Sequence, residues 1–108
     1  MASKNKETLS LHLESAARLF RALGDESRLR LLEFIYKKES NVSEIALEMK
    51  EGISTISQRL RLLRSEGLVK RTRVGKNLYY SLEDEHIKNL ITNAIEHVSE
   101  THTTRRKK

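Results

Sequence analysis

Between residues 53 and 82 the chain changes its apolar period, and that change limits the folds open to it. Ile56, Leu60 and Leu63 recur at i, i+4 and i+7, the spacing of one buried helix face over 53–65. Gly67 stops that pattern. The residues after it, LVKRTR (68–73) and NLYYSL (77–82), read as two short strands around a turn at Val74, Gly75, Lys76 and Asn77. Upstream, Asn41 with Glu44 three residues on makes a capping-box start for a helix over 42–49, whose buried face is Ile45, Ala46 and Met49. Lys50, Glu51 and Gly52 form the brief turn between the two helices. Two helices, a tight turn and a hairpin describe a helix-turn-helix followed by a wing.

The remaining segments are helical. The fold class is therefore mainly α with a two-stranded β wing (α+β), a winged helix-turn-helix expected to be homodimeric through its first and last helices. A helix over 9–23 carries Leu9, Leu13, Ala16, Ala17 and Phe20 on one face, with Leu11 and Leu19 off it. Apolar on two sides, it fits between its own core and a partner subunit. Gly24 ends that helix and Asp25 caps the next, 26–37, where Leu29, Leu32, Ile35 and Tyr36 keep the period and Arg28 and Arg30 face outwards. Residues 1–8 are expected to be a flexible N-terminus, 9–100 the folded domain, and THTTRRKK (101–108) a basic disordered tail. At 108 residues the core is modest, which itself favours dimerisation.

Composition narrows the function classes. The chain has no cysteine, so disulfides and thiolate metal sites are excluded. No apolar run approaches the ~20 residues that span a bilayer. The first ten residues lack the apolar centre of a signal peptide. A cytoplasmic protein with no membrane partner is expected. The net charge is +6, and the window Arg59 to Lys76 holds seven basic residues against the single acid Glu66, enough to account for the whole excess. From Glu83 to Glu100 there are five acids and only Lys88 as a base. One region is built for an anion and the other for a cation.

The anion-facing candidates lie on the second helix of the motif and on the wing. Ser54, Ser57, Gln58, Arg61 and Ser65 project opposite the buried face, with no acid among them. Short hydroxyl side chains let a helix approach closely, and Gln and Arg can read adenine and guanine edges in the major groove of double-stranded operator DNA. Arg71, Arg73 and Lys76 near the wing tip suit backbone or minor-groove contact. The competing explanation, an ordinary polar helix face, would normally mix charge signs.

The cation-facing candidates lie on DEHIKNLITNAIEHVSE (84–100). Ile87, Leu90, Ile91, Ala94, Ile95 and Val98 form one helical stripe, and His86, His97 and Glu100 fall on a strip beside it. Asp84 stands at the helix mouth, either as an N-cap or as a ligand. Two imidazoles and two carboxylates suit Zn(II), with Co(II) or Ni(II) as alternatives. His86 and His97 are eleven residues apart, roughly 16 Å along one helix, so no single ion touches both. Two copies packed antiparallel about a two-fold axis near Ile91 and Thr92 bring His86 of one chain to His97 of the other, and Asp84 towards Glu100. The alternative is a solvated face rich in His and Glu. His12 has no second ligand candidate around it, and His102 lies about 160° around the helix from His86. A zinc hydrolase is disfavoured: catalytic zinc keeps an open position with a base nearby, whereas four donors fill this set.

Helix, helix, helix, recognition helix, wing and a last helix bearing acids and histidines resemble the ArsR/SmtB family of metal-responsive winged-helix repressors. The resemblance covers roughly residues 10 to 100. It is carried by ALGDESRLRLL (22–32), VSEIA (42–46), STISQRLRLLRSEGLVKRTRVGKNLYYSL (54–82) and the pattern Asp84-x-His86 … His97-x-x-Glu100. It implies a homodimer that represses a metal-efflux or metal-sequestration gene and leaves its operator when zinc binds as a negative allosteric effector. It places the sensor at Asp84 and His86 of one subunit with His97 and Glu100 of the other. It also implies a relay from the second nitrogen of His97 to a carbonyl near Gly67. The sulfur site of some members would fall near residues 39–42, where Ser40 and Asn41 stand instead. Many members begin the recognition helix with a Ser or Thr cap followed by Ser-His-Gln; here Gly52 and Ile53 begin it, and Ser57, Gln58 and Arg59 follow. A winged-helix regulator that answers to Ni or Co, or to a non-metal signal, is the rival expectation.

Overall fold

The computed structural model describes the backbone of residues 2–107 and the side chains of residues 5–100. The elements run α1 (Ala2–Leu23), α2 (Glu26–Lys37), α3 (Val42–Met49), α4 (Ile53–Ser65), β1 (Val69–Val74), β2 (Asn77–Leu82) and α5 (Glu85–Lys107). This is a winged helix-turn-helix. Among the described residues, no helix is long and apolar enough to cross a membrane.

Local chemistry sets the bounds of the central motif. The Asn41 side chain accepts from the Glu44 N–H and the Glu44 carboxylate accepts from the Asn41 N–H, both at 2.9 Å, so the capping box that starts α3 is complete. α3 ends at Lys50, which adopts a left-handed φ of 58°. There the Glu51 N–H donates to the Ala46 carbonyl at 3.1 Å and the Lys50 N–H to Leu47 at 3.3 Å. This paired bonding reverses the chain into α4. A side chain at such a φ costs roughly 1–2 kcal/mol. α4 ends the same way, with Leu68 N–H donating to Leu63 at 2.9 Å and Gly67 N–H to Arg64 at 3.1 Å. Here the left-handed position, φ 73°, is occupied by Gly67, which bears no such cost.

β1 and β2 pair antiparallel, Val69 opposite Leu82 through Val74 opposite Asn77. Gly75 (φ 66°) and Lys76 therefore form a two-residue turn. A third chain segment joins the base of the hairpin. Ser40, fully buried between α2 and α3, donates its N–H to Tyr80 at 3.2 Å and accepts from the Tyr80 N–H at 2.8 Å.

The core gathers Leu31, Leu32 and Ile35 of α2, Ile45 and Ala46 of α3, and Ile56, Leu60 and Leu63 of α4. Leu68, Val69, Tyr80 and Leu82 close it from the wing, and Ile87 and Ile91 from α5. Emptying one such position to alanine costs about 2–5 kcal/mol.

The outer helices depart from the sequence expectations. α1 begins at Ala2 rather than near Leu9, and α5 continues past Glu100 to Lys107. Neither stretch holds a glycine or proline to stop a helix, so the end of the apolar stripe is not the end of the helix. Side chains of residues 101–108, His102 included, lie outside the described ones. α1 reaches the core through Leu19, Ala22 and Leu23, while Leu9, Leu11, Leu13 and Phe20 stay exposed. In α2, Leu32 and Ile35 are buried as expected and Leu29 packs against the core, but Leu31 is buried as well and Tyr36 is exposed. Arg28 does not point to solvent. Its guanidinium donates to the carbonyls of Ala22 at 2.6 Å and Arg21 at 3.2 Å, closing the C-terminal end of α1.

Candidate nucleic-acid interface and metal-donor strip

α4 sits with Ile56, Leu60 and Leu63 in the core, so the helical period leaves Ser54, Gln58 and Arg61 exposed and Ser57 half-buried. Hairpin register decides where the wing arginines go. Val69, Arg71 and Arg73 lie opposite Leu82, Tyr80 and Leu78, all on one face of the ribbon. Val69, Tyr80 and Leu82 are buried, so Arg71 and Arg73 extend the face that looks towards α4. Lys76 stands apart at the turn, and Lys70 lies on the other face.

Arg61, Arg64 and Arg71 line one cleft between α4 and the wing, together with Ser57, Leu60 and Tyr80. Among the described residues no carboxylate is paired with these three guanidiniums, which leaves their forked donors for an external anion. Arg64 is the member that pattern reading passed over. Its place seven residues after Ser57, two turns on along the same side of the helix, is the signal that marks it. Arg59 belongs to a different role. It is bound through two nitrogens to Glu51, one contact at 2.9 Å, and its guanidinium holds the Glu51 carboxyl below the usual carboxylate range. That pair staples the turn to α4 and removes Arg59 from the cations available to a ligand.

At the other end, Asp84 caps α5: its Oδ1 accepts from the Ile87 N–H at 3.1 Å. That bond first, and the neighbouring His86 second, hold the Asp84 carboxyl below its ordinary range. Its Oδ2 lies 3.6 Å from Nδ1 of His86, whose side chain is 94% exposed. One oxygen thus caps the helix while the other lies beside an exposed imidazole. His97 and Glu100 are also exposed, about three helical turns further along. Within one chain, no group of three or more His, Cys, Asp or Glu among the described residues comes together to hold an ion. Asp84 and His86 stand together, while His97 and Glu100 lie further along α5, three residues apart in sequence. Between and beside them, Leu29, Ile91, Ala94, Ile95 and Val98 line an apolar groove, with Ile95 49% and Val98 54% exposed.

This architecture has known relatives. The family model for bacterial regulatory proteins of the arsR family matches residues 25–71. The chain is 44% identical over 96 residues to a transcriptional repressor SmtB homolog of Synechocystis sp., covering 88% of this chain and 73% of that protein. It is 36% identical over 85 residues to a cadmium resistance transcriptional regulatory protein CadC homolog of Staphylococcus aureus, covering 78% and 70%. Among solved structures, the homodimeric winged helix-turn-helix DNA-binding domain Mb0332 of Mycobacterium bovis superposes with a TM-score of 0.79 at 30% identity, covering 86% of this chain and 85% of that one.

Proposed function

The chain belongs to the ArsR/SmtB family of bacterial transcriptional regulators, and from that premise we propose that it is a dimeric repressor released from operator DNA by Zn(II). It is a regulator and not an enzyme. The observation that carries the metal reading is the division of the four donors: Asp84 beside His86 at one end of an exposed strip, His97 with Glu100 at the other. Neither pair reaches a coordination number of four alone, and an antiparallel second copy supplies the missing two to each. Exposed Leu9, Leu13, Phe20, Ile95 and Val98 give that second copy apolar surface to cover.

The residues would act as follows. Ser54, Ser57, Gln58 and Arg61 meet base edges, while Arg71, Arg73 and Lys76 grip the phosphate backbone. A two-fold dimer presents two such faces to the half-sites of a palindrome. Asp84, His86, His97 and Glu100 would hold the ion, which, when bound, ties the two last helices into one geometry. His97 would pass that geometry through its other ring nitrogen to the backbone near Gly67, the end of α4. Because the coupling is mutual, operator DNA must weaken zinc binding by the factor by which zinc weakens operator binding.

Fluorescence anisotropy of the protein's own promoter DNA, with chelator and then with saturating Zn(II), tests this. Tight, salt-sensitive binding that zinc weakens is the expected result; equal affinity in both states sinks the metal reading. His97→Asn sharpens the test, since it is expected to hold metal more weakly and to lose release altogether.

A further inference from the structure

α4 opens with a large apolar side chain that the core does not use. Ile53 is 57% exposed and outside the buried cluster. With Ser57 and Arg61 it follows an i, i+4, i+8 ridge that spans about 12 Å, turning roughly 40° at each step. The far end of that ridge is the cleft of Arg61, Arg64 and Arg71. The near end is apolar: Leu47, 81% exposed, borders the same shallow depression as Ile53. A single exposed isoleucine would need no explanation. This one shares a ridge with an unneutralised cationic cleft and stands where a recognition helix presents its first residues to base edges. The cations orient the ridge onto the polyanion, and so determine what Ile53 faces. The floor of the major groove offers one apolar group, the 5-methyl of thymine.

We propose that Ile53 is a specificity residue that reads a thymine methyl in each operator half-site. The inference rests on the reading above that α4 enters the major groove. Gln58 and Arg61 supply polar readout, and Ile53 adds contact with a group that offers neither donor nor acceptor. Such a contact discriminates against cytosine and against uracil, which lacks only the methyl.

The full-length protein first selects its operator from a randomised DNA duplex pool. Each thymine of the selected half-site is then replaced in turn by deoxyuridine, and affinities are measured for wild type, Ile53→Ala, Ile53→Val and the control Leu47→Ala on α3. Loss of one buried methyl contact predicts about a fourfold drop for wild type at one thymine per half-site. Ile53→Ala is expected to show no drop at that position, Ile53→Val a partial one, and Leu47→Ala the full wild-type drop. Because Ile53 is exposed and alanine is a better helix former, the variants should keep the wild-type far-UV circular dichroism. If wild type and Ile53→Ala respond alike to every deoxyuridine while binding the operator tightly, the inference is overturned and the repressor reading stands. A pool that yields no enriched duplex overturns both.

Discussion

At the α4–wing end a single chain already displays its chemistry: Ser54, Gln58 and Arg61 on one helix, Arg64 and Arg71 facing each other across a cleft. Along α5 the proposed metal donors of a single chain stand apart. His86 stands roughly 16 Å from His97 along one rod, and Ile95 and Val98 of the same helix lie exposed, as do Leu9 and Phe20 of α1. The first region is organised by its own core, because α4 and the hairpin bury Ile56, Leu60, Leu63, Val69 and Leu82 against it. Among the described residues, α1 joins that core through Leu19, Ala22 and Leu23, and α5 through Ile87, Leu90 and Ile91. Under the proposed function, the reading face is complete within one chain, whereas a sensing site would need donors from two.

The largest effect that tests this division is ionic. With Arg61, Arg64, Arg71, Arg73 and Lys76 on each of two chains, raising salt from 50 to 200 mM should weaken operator binding about 10³–10⁵-fold. A flat salt profile by anisotropy would mean the basic face is not the reading face. Next is Ile95→Glu, which places an unpaired charge in the proposed subunit contact. It should weaken dimerisation by roughly 10²–10⁴, the effect of about 3–5 kcal/mol, with unchanged circular dichroism at low temperature. Sedimentation reads the dimer, and competition with a zinc dye should show metal affinity lost with it; a monomer that still binds zinc at full strength breaks the comparison.

Asp84→Asn is the third test and separates two roles of one residue. Asparagine caps as well as aspartate but brings no charge to an ion. Zinc affinity should fall at least about tenfold, a loss that even outer-shell changes at such sites produce, with thermal stability kept. Asp84→Ala should lose a further ~1 kcal/mol of stability with the cap. The sign in pH follows from the depressed carboxyl of Asp84: the cap's contribution is present above the ordinary carboxylate range and is lost as pH falls through the lowered value. The smallest effect belongs to the reading end. Lys50→Gly relieves the left-handed φ of 58° and should raise stability by about 0.5–1 kcal/mol after glycine's own entropy cost, read by urea denaturation.

Legibility in the sequence divides along the same line. The bounds of α3 and α4 coincide with the expected ones because their determinants are local: Asn41 with Glu44, Gly67, and apolar residues at strict spacing. That α1 is apolar on two sides is legible in the sequence, yet which of its residues meet the chain's own core is not. Leu19, Ala22 and Leu23 are selected by α2, whose Arg28 reaches back over the end of α1. Arg28 reads as an outward cation on any helical wheel; only tertiary proximity shows its bonds to Ala22 and Arg21. Likewise the alternation in 68–73 identifies a strand, but the face that Arg71 and Arg73 occupy depends on Val69 and Leu82 being the buried pair.

Ser40 gives the wing a third neighbour, and this bears on how the hairpin can behave. Two-stranded ribbons with both margins open invite pairing with stray chains. Here the outer margin of β2 is occupied at Tyr80 by Ser40, and β1 carries Lys70, Arg71 and Arg73 along the other. Cationic repulsion guards one side and a backbone clasp the other. The same clasp ties the hairpin to the start of α3, so a tilt of the helix-turn-helix carries the wing with it as one lever.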